Sequence, residues 1–494
     1  MERFSFEALR GLLQKTGKLT VAAIRELVSG SGEGQSDGTL TARGRLARLF
    51  DAGTFTETGV FVRRRSDEFD VSDADEFEGV ITGWGAVGGC LVYAFAQDLS
   101  RTDGAVSEAH ARKICDIYRL ALENGAPVVG FFDSNGAYIP EGVKALAGYG
   151  KIMKASAAAS GIIPQIAVVS GYCTGAAAVI ASMFDLTVVA GEGGIISVNP
   201  PFLAEGAGEA EFASETGVAA VVAENDAGSV DTVRDILTVI PENNESPLPL
   251  VGSTDSPERA TDLGFFETDR DVRKLTAEIA DDGKVRELYS GYAAELEAAM
   301  ISLGGTPVGV IALGGKLTAA AARKAKKAIS VFDSFGMPIL TVVDSDGVEC
   351  SESAERSPLA AELAGLASAY CTASSPLVTL IAGEAYGSVF TVMGSKSVGA
   401  DAVMALESAK IAAMKASSAV AFLYNDKISA EVSREDLETS WNENVASPIE
   451  AAASGEIDDV IATDEVRARL CAAFNMLSRK SRSWNSRRHP NMPL

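Results

Sequence analysis

Pro164-Gln-Ile-Ala-Val-Val-Ser-Gly-Tyr-Cys-Thr-Gly-Ala-Ala-Ala-Val-Ile-Ala-Ser-Met-Phe-Asp185 is the stretch whose reading decides the fold. The β-branched run Ile166 to Val169 predicts a buried strand, closed by Ser170 and Gly171. After Gly175 the alanine-rich segment predicts a tightly packed helix. A strand that turns through small residues into a helix leaves the first helical N–H groups unpaired, and the helix dipole adds partial positive charge there. Main chain alone can then build an oxyanion hole.

The device occurs twice. Ser375-Pro376-Leu377-Val378-Thr379-Leu380-Ile381-Ala382-Gly383 is again a strand after a proline, followed by Glu384-Ala385-Tyr386-Gly387-Ser388-Val389. Pro164 and Pro376 are 212 residues apart, as are Gly175 and Gly387. Upstream, Gly125 to Gly136 matches Gly336 to Gly347 at an offset of 211, aligning Asp133-Ser134-Asn135-Gly136 with Asp344-Ser345-Asp346-Gly347. Two blocks in one order at nearly one spacing predict two copies of an α/β domain, a period too long for a solenoid.

At 494 residues the chain has room for two to four domains, and 47% hydrophobic residues supply their cores. No apolar run has the length of a membrane span, and Met1 to Ser29 is too charged for a secretory signal. Six scattered cysteines without a C-x-x-C pair point to a reducing cytoplasm and away from structural zinc; no metal site is expected. A net charge of −24 argues against binding nucleic acid. Only His110 and His489 are histidines, which nearly excludes Ser-His-Asp, Cys-His or His-rich metal chemistry. Catalysis must then rest on backbone donors, carboxylates or a cofactor.

Along the chain, residues 1 to 29 carry a helical pattern, and Gly30 to Gly38 reads as a linker. From Thr41 a short basic helix closed by Gly53 is expected, with Arg43, Arg45 and Arg48 either on a solvated face or contacting phosphate. Gly83-Trp84-Gly85-Ala86-Val87-Gly88 matches the dinucleotide fingerprint, but it leads into another strand, so it is read as a hairpin. Glu108 to Asn124 is an amphipathic helix on which His110 and Cys115 are packing or surface residues. Pro241 to Pro247 is the most linker-like stretch. The expected division is an extension over 1–40, a first domain over 41–246 and a second over 247–494. The basic end, Arg479 to Pro490, is a solvated terminus or a docking arm.

These residues together resemble a known family. Arg43-Gly44-Arg45-Leu46, Asp51 to Glu57, Gly83-Trp84-Gly85, Lys113-Ile114, Asp133 to Ala137, Glu141-Gly142, Gly171 to Gly175, Ala385-Tyr386-Gly387 and Val392 to Lys396 look like the carboxyltransferase subunit (β-chain type) of biotin-dependent acyl-CoA carboxylases and methylmalonyl-CoA decarboxylases. The likeness runs from Arg43 to about Asn475. It implies an α/β fold of two tandem crotonase-like domains (the ClpP/crotonase superfold), with acyl-CoA on the first and biotin on the second. The active site then joins one half to the other half of a partner subunit. By position, the first oxyanion hole is formed by the N–H groups of Ala176 and Ala177 and steadies a thioester enolate. The second, Ser388 and Val389, steadies the ureido oxygen of biotin.

The resemblance further places Gly136, Ala137, Tyr138, Tyr172 and Gly175 at the acyl-CoA substrate, and Asp344, Gly347, Tyr386 and Gly387 at biotin. The implied reaction is carboxyl transfer between carboxybiotin on a carrier protein and a coenzyme A thioester, propionyl/methylmalonyl-CoA or acetyl/malonyl-CoA. It needs no protein base, in keeping with the scarcity of histidine. Implied partners are the biotin carboxyl carrier protein and biotin carboxylase, or membrane subunits if the chain is the α subunit of a sodium-pumping decarboxylase. A homo-oligomer, a hexamer, is implied too. A non-catalytic scaffold and a hydratase using Glu141 and Glu384 are the other readings.

The chain departs from the family at Gly175-Ala176 and Gly387-Ser388, where paired glycines are usual; this requires negative φ at Ala176 and Ser388. It departs again at Tyr138, where the family has arginine. Ala413-Met414-Lys415-Ala416 resembles a biotin acceptor, but the residue after the lysine differs and Lys415 is not read as biotinylated. No phosphate-cradling ATP loop occurs, so biotin is carboxylated on another protein.

Overall fold

The computed structural model describes residues 39–63, 77–204, 206–429 and 431–480. The expected N-terminal helix and linker, the basic tail beyond Lys480 and His489 lie outside the described residues. The chain divides into two compact units: residues through Ala213 with Val218–Leu237, and Ser214–Gly217 with Thr238 onward.

In the first unit, the basic segment forms α1 (Ala42–Leu49), with the Thr41 hydroxyl accepting from the Gly44 amide. It closes at Phe50 rather than Gly53, because the chain turns there into β1 (Thr56–Thr58). Of the fingerprint-like glycines, Gly83 and Gly85 lie in β2 (Val80–Val87), and Gly88 with Gly89 makes the turn to β3 (Cys90–Gln97), so the hairpin holds with a shorter turn than Gly83 to Gly88. Next come α2 (Glu108–Asn124), β4 (Val128–Phe132), α3 (Val143–Ala159), β5 (Gln165–Val169), β6 (Tyr172–Thr174), α4 (Ala176–Met183), β7 (Leu186–Ala190), β8 (Ile195–Ser197), β9 (Val221–Ala223) and α5 (Asp226–Leu237). The Ser107 hydroxyl starts α2 by accepting from the His110 amide, and Gly125 in the left-handed region ends it.

The sheet runs β1-β2-β3-β4-β5-β7-β9, antiparallel through β3 and parallel beyond. β4 and β5 are buried along their whole length, as parallel strands covered on both faces must be. Edge-to-face rings of Phe95, Phe132 and Phe184, with centroids 5.5 and 5.6 Å apart, join β3, β4 and the end of α4. Offset β6 and β8 form a separate two-stranded ribbon above the sheet's carboxyl edge.

The second unit repeats the plan with α6 (Val272–Ile279), β10 (Arg286–Leu288), β11 (Leu296–Leu303), β12 (Thr306–Gly314), α7 (Ala319–Ser334), β13 (Ile339–Ser345), α8 (Leu359–Thr372), β14 (Leu377–Tyr386), α9 (Ser388–Val392), β15 (Ala402–Leu406), β16 (Lys410–Ala412), α10 (Ala416–Leu423), α11 (Arg434–Asn444), β17 (Asp459–Ile461) and α12 (Val466–Leu477). Its sheet runs β10-β11-β12-β13-β14-β15-β17, with the same antiparallel start and parallel continuation. The expected tandem α/β crotonase-like architecture is therefore the one adopted. A difference of detail is that β14 runs unbroken through Gly383, so β16 pairs with its end where β6 and β8 pair apart from the first sheet.

The repeat extends to buried charge. Lys113 on α2 and Lys324 on α7, 211 residues apart, are both buried and donate to the carbonyls of Val80 and Tyr292. Burial pushes both amines down to about 8. Among the described residues, no helix is long and apolar enough to cross a membrane.

Candidate active site

Each unit carries the same strand-to-helix turn. In the first unit Gly175 stands between β6 and α4 with φ 62° and ψ −129°, a conformation open to glycine and costly for other residues. Its N–H donates to the Ser197 carbonyl at 3.0 Å. In the second unit Gly387 has φ 57° and ψ −129°, and its N–H donates to the Ala412 carbonyl at 3.1 Å. Both Ala176 and Ser388 lie outside the positive-φ residues. The glycine kept in each pair is thus the one the turn requires, and the replaced member is the first helical residue, which tolerates a side chain. Ala176 and Ala177 open α4, and Ser388 and Val389 open α9. Amides in these positions have no acceptor within their helix.

The loop after β4 sits against the first turn. The Ser134 amide donates to the Tyr172 carbonyl at 2.8 Å, and the Ser134 hydroxyl accepts from the Gly136 amide at 3.1 Å. The Tyr138 amide donates to the Val106 carbonyl, and a bridge between Val106 and Ala137 holds the loop extended. The loop that carries Gly136, Ala137 and Tyr138 is thereby anchored through Ser134 to the backbone of Tyr172, whose side chain is exposed.

The second site is built alike. The Gly347 amide donates to the Ser345 hydroxyl, and the Leu317 amide to the Gly347 carbonyl. Tyr386 is buried before Gly387, and burial, reinforced by the Glu384 charge, pushes its phenol up to about 12, so it stays a neutral donor. A cleft of about 600 Å³ opens beside Gly387 and Ser388, lined also by Phe390, Ala412, Ala413 and Glu450.

Both sites rest on an aspartate and an arginine. Asp133, directly after β4, receives Arg45 Nη1 at 2.9 Å, while Arg45 Nε donates to Asp226 at 2.9 Å. Arg45 is 1% exposed, so neither expected reading holds for it: it is a core cation, with two carboxylates as its counter-charge. Arg43 pairs with Glu57 and Arg48 with Asp231. In the second unit Arg270 Nε donates to Asp344 at 2.9 Å and its Nη2 to the other oxygen. That oxygen also accepts the Glu384 amide at 2.9 Å. Burial raises the Asp133 carboxyl against the opposing pull of Arg45.

Arg45, Asp226 and Arg270 were not foreseen as parts of the sites. The available signal was the pair Asp133 and Asp344: a buried carboxylate at the carboxyl end of a buried strand in each repeat calls for a cation nearby. Glu141 accepts the Glu108 amide at 2.6 Å, and Glu384 faces Lys415 at 3.3 Å. Each hydratase candidate is thus engaged within its own unit. His110 is buried, with its imidazole pushed down to about 3 by desolvation.

Comparison with known proteins places the fold and the sequence among carboxyltransferases. A propionyl-CoA carboxylase beta chain from Roseobacter denitrificans is 33% identical over 480 residues, covering 92% of this chain and 94% of its own. The methylmalonyl-CoA decarboxylase subunit alpha of Propionigenium modestum is 33% identical over 491 residues, covering 93% and 94%. A transcarboxylase 12S crystal structure, described as a hexamer with hydrolysed methylmalonyl-coenzyme A bound, superposes with TM-score 0.89 at 29% identity and 99% coverage of both chains. With the carboxyl transferase domain matching residues 33–492 as well, this chain belongs to the carboxyl transferase family.

Proposed function

We propose that this chain is a biotin-dependent carboxyltransferase that moves a carboxyl group between a biotin carrier and an acyl-CoA, with propionyl-CoA and methylmalonyl-CoA as the acyl pair. The observation that carries this reading is the duplicated turn: a positive-φ glycine followed by two helix-opening amides at 175–177 and 387–389.

The amides of Ala176 and Ala177 hold the thioester oxygen as negative charge develops on it. Main-chain donors at a helix start are fixed in advance and need no reorganisation during reaction. Gly136, Ala137, Tyr138 and Tyr172 shape the acyl-CoA side, and Gly175 lets the chain approach the thioester closely. The amides of Ser388 and Val389 take the ureido oxygen of biotin, and Asp344, Gly347, Tyr386 and Gly387 frame that side. The cleft beside Gly387 and the neutral Tyr386 phenol fit an uncharged, hydrogen-bonding ring. Biotin, when bound, supplies the nitrogen that carries the carboxyl group and the acceptor for the proton exchanged with the acyl carbon. The chain itself orients and polarises. Its buried His110 and its engaged Glu141 and Glu384 support a site without a protein base.

The domain division at 246 follows the same reading, acyl-CoA on the first half and biotin on the second. Exposed Ile139, Val143, Phe202 and Leu203 on the first unit, and Phe422 and Ile449 on the second, support burial against further copies of the chain, as a hexamer. Partners are a biotin carboxyl carrier protein and a biotin carboxylase; the decarboxylase relative supports the same half-reaction run toward loss of the carboxyl group. Six free thiols support a cytoplasmic setting.

The test is to incubate the purified chain with methylmalonyl-CoA or malonyl-CoA, with and without free biotin, and follow loss of the carboxyl group. Biotin-dependent turnover, faster with methylmalonyl-CoA, is expected. Turnover independent of biotin would overturn the reading; acyl-CoA binding without turnover would point to a different acyl substrate behind Tyr138 and Tyr172, and no acyl-CoA binding at all would favour a scaffold.

A further inference from the structure

We propose that Lys415 is a carboxylate-binding residue of the second site, contacting the carboxyl group carried on the biotin nitrogen; this rests on the reading of that site given above. Lys415 lies two residues beyond Ala413, a lining residue of the cleft, at the N-cap of α10. Its ammonium crosses back to the strand end that forms the turn, 3.3 Å from Glu384 and 3.7 Å from Asp346. Glu384 lies two residues before Tyr386, and Asp346 directly before Gly347. The lysine thus joins the three segments that shape the site: residues 344–347, 384–391 and 411–415.

Its contacts are those of an adjustable group. At 44% exposure the side chain is half in solvent, and the 3.7 Å approach to Asp346 is too long for a hydrogen bond. An ammonium carries three N–H donors, so it has capacity for another acceptor beside Glu384. Arg270, the neighbouring cation, is differently placed: both its contacts go to the two oxygens of Asp344, which in turn accepts the Glu384 amide.

The charge balance gives the lysine a purpose. Glu384, Asp346 and the cleft residues Glu450 and Glu456 present acidic surface to an incoming anion. A carboxylate entering there needs a cation, and Lys415 meets it by exchanging the long contact to Asp346 for a charge-assisted hydrogen bond to the ligand. The first unit has no such arrangement at the matching positions, where Tyr172 and Asn135 stand for Glu384 and Asp346. The lysine therefore marks the second site as the one that distinguishes a carboxylated from an uncarboxylated ring.

Equilibrium binding to the full chain tests this with two probes, biotin methyl ester and its N1′-carboxymethyl derivative, by titration calorimetry. In wild type the carboxylated probe should bind more tightly. Lys415→Met should weaken that probe about tenfold, equivalent to about 1.4 kcal/mol, and leave the neutral probe unchanged. Lys415→Arg should keep most of the preference, and Asp346→Asn should increase it by freeing the ammonium. An unchanged preference in Lys415→Met would overturn the inference. So would an Asp346→Asn variant that loses the preference equally, since that is the result for a lysine serving only as a tether. If wild type binds neither probe, the reading of the second site fails and the inference with it; if it binds both equally, only the inference fails.

Discussion

Gly171 leaves open the space into which the Asp133 carboxylate packs, and a methyl group there would collide with that carboxylate. The same relation recurs 212 residues on, where a side chain at Gly383 would strike Asp344 and Arg270. Each glycine stands four residues ahead of the positive-φ glycine of its turn, so a close carboxylate contact anchors the chain where it approaches the helix amides. Gly171→Ala and Gly383→Ala should each cost about 1–3 kcal/mol by overpacking. Both should also lower turnover, because the carboxylate and the turn must move apart. Urea unfolding midpoints and carboxyl-transfer rates on the same samples check this; unchanged midpoints would show that the packing relaxes freely.

Arg45 carries a larger share of stability. Removing its side chain leaves Asp133 and Asp226 buried without a counter-charge, for which about 3–5 kcal/mol is expected. Arg45→Met should unfold at clearly lower denaturant than wild type. The triple variant Arg45→Met, Asp133→Asn, Asp226→Asn should recover much of the loss, because no charge is then stranded. A single variant as stable as wild type would show that water reaches the aspartates.

The doubled architecture was legible because a repeat of this length preserves whole strand–turn–helix units: Pro164 and Pro376, Gly175 and Gly387 keep their spacing to the residue. The Glu108–Asn124 helix was legible from its apolar period and the glycine that follows. Arg45 was not, because three arginines at short spacing on a basic helix look the same whether one of them points inward or not; its partner Asp226 is 181 residues away. Arg270 escaped notice for a related reason. It sits in a loop at φ 49°, outside any periodic pattern, and only the folded chain brings it to Asp344. At Lys415 the local motif drew attention to attachment chemistry, whereas the structure gives its ammonium to Glu384 and Asp346.

Ala176→Pro removes one of the first-hole donors. Position 176 is the first residue of α4, where proline's missing N–H interrupts no helical hydrogen bond and its fixed φ suits the helix. The variant should therefore fold, with a circular dichroism spectrum and unfolding midpoint close to wild type. Its kcat should drop about 10²–10³-fold, the cost of losing one oxyanion-hole donor, or roughly 3–4 kcal/mol of barrier. Ser388→Pro makes the parallel test of the second hole. Near-normal turnover in a folded Ala176→Pro protein would remove that amide from the mechanism.

Glu297, on β11, gives the chain a pH dependence unrelated to catalysis. Burial pushes its carboxyl up to about 7. The Thr276 hydroxyl lies 2.6 Å from it and also 2.9 Å from the Val272 carbonyl. One hydroxyl proton cannot serve both fully, so the protonated carboxyl donates to Thr276 while Thr276 donates to Val272. The unfolded chain releases this proton near pH 4.5 and the folded chain near 7. Between those values the folded state holds more protons, so this group's contribution to stability falls as pH rises, and above 7 it stands as a full penalty. Glu297→Gln keeps a donor for Thr276 and cannot ionise. It should stabilise the protein at pH 8 by on the order of 2–3 kcal/mol and have little effect at pH 4.5. Urea midpoints of both proteins at the two pH values measure the difference; equal increments at both would show that Glu297 does not titrate in this range.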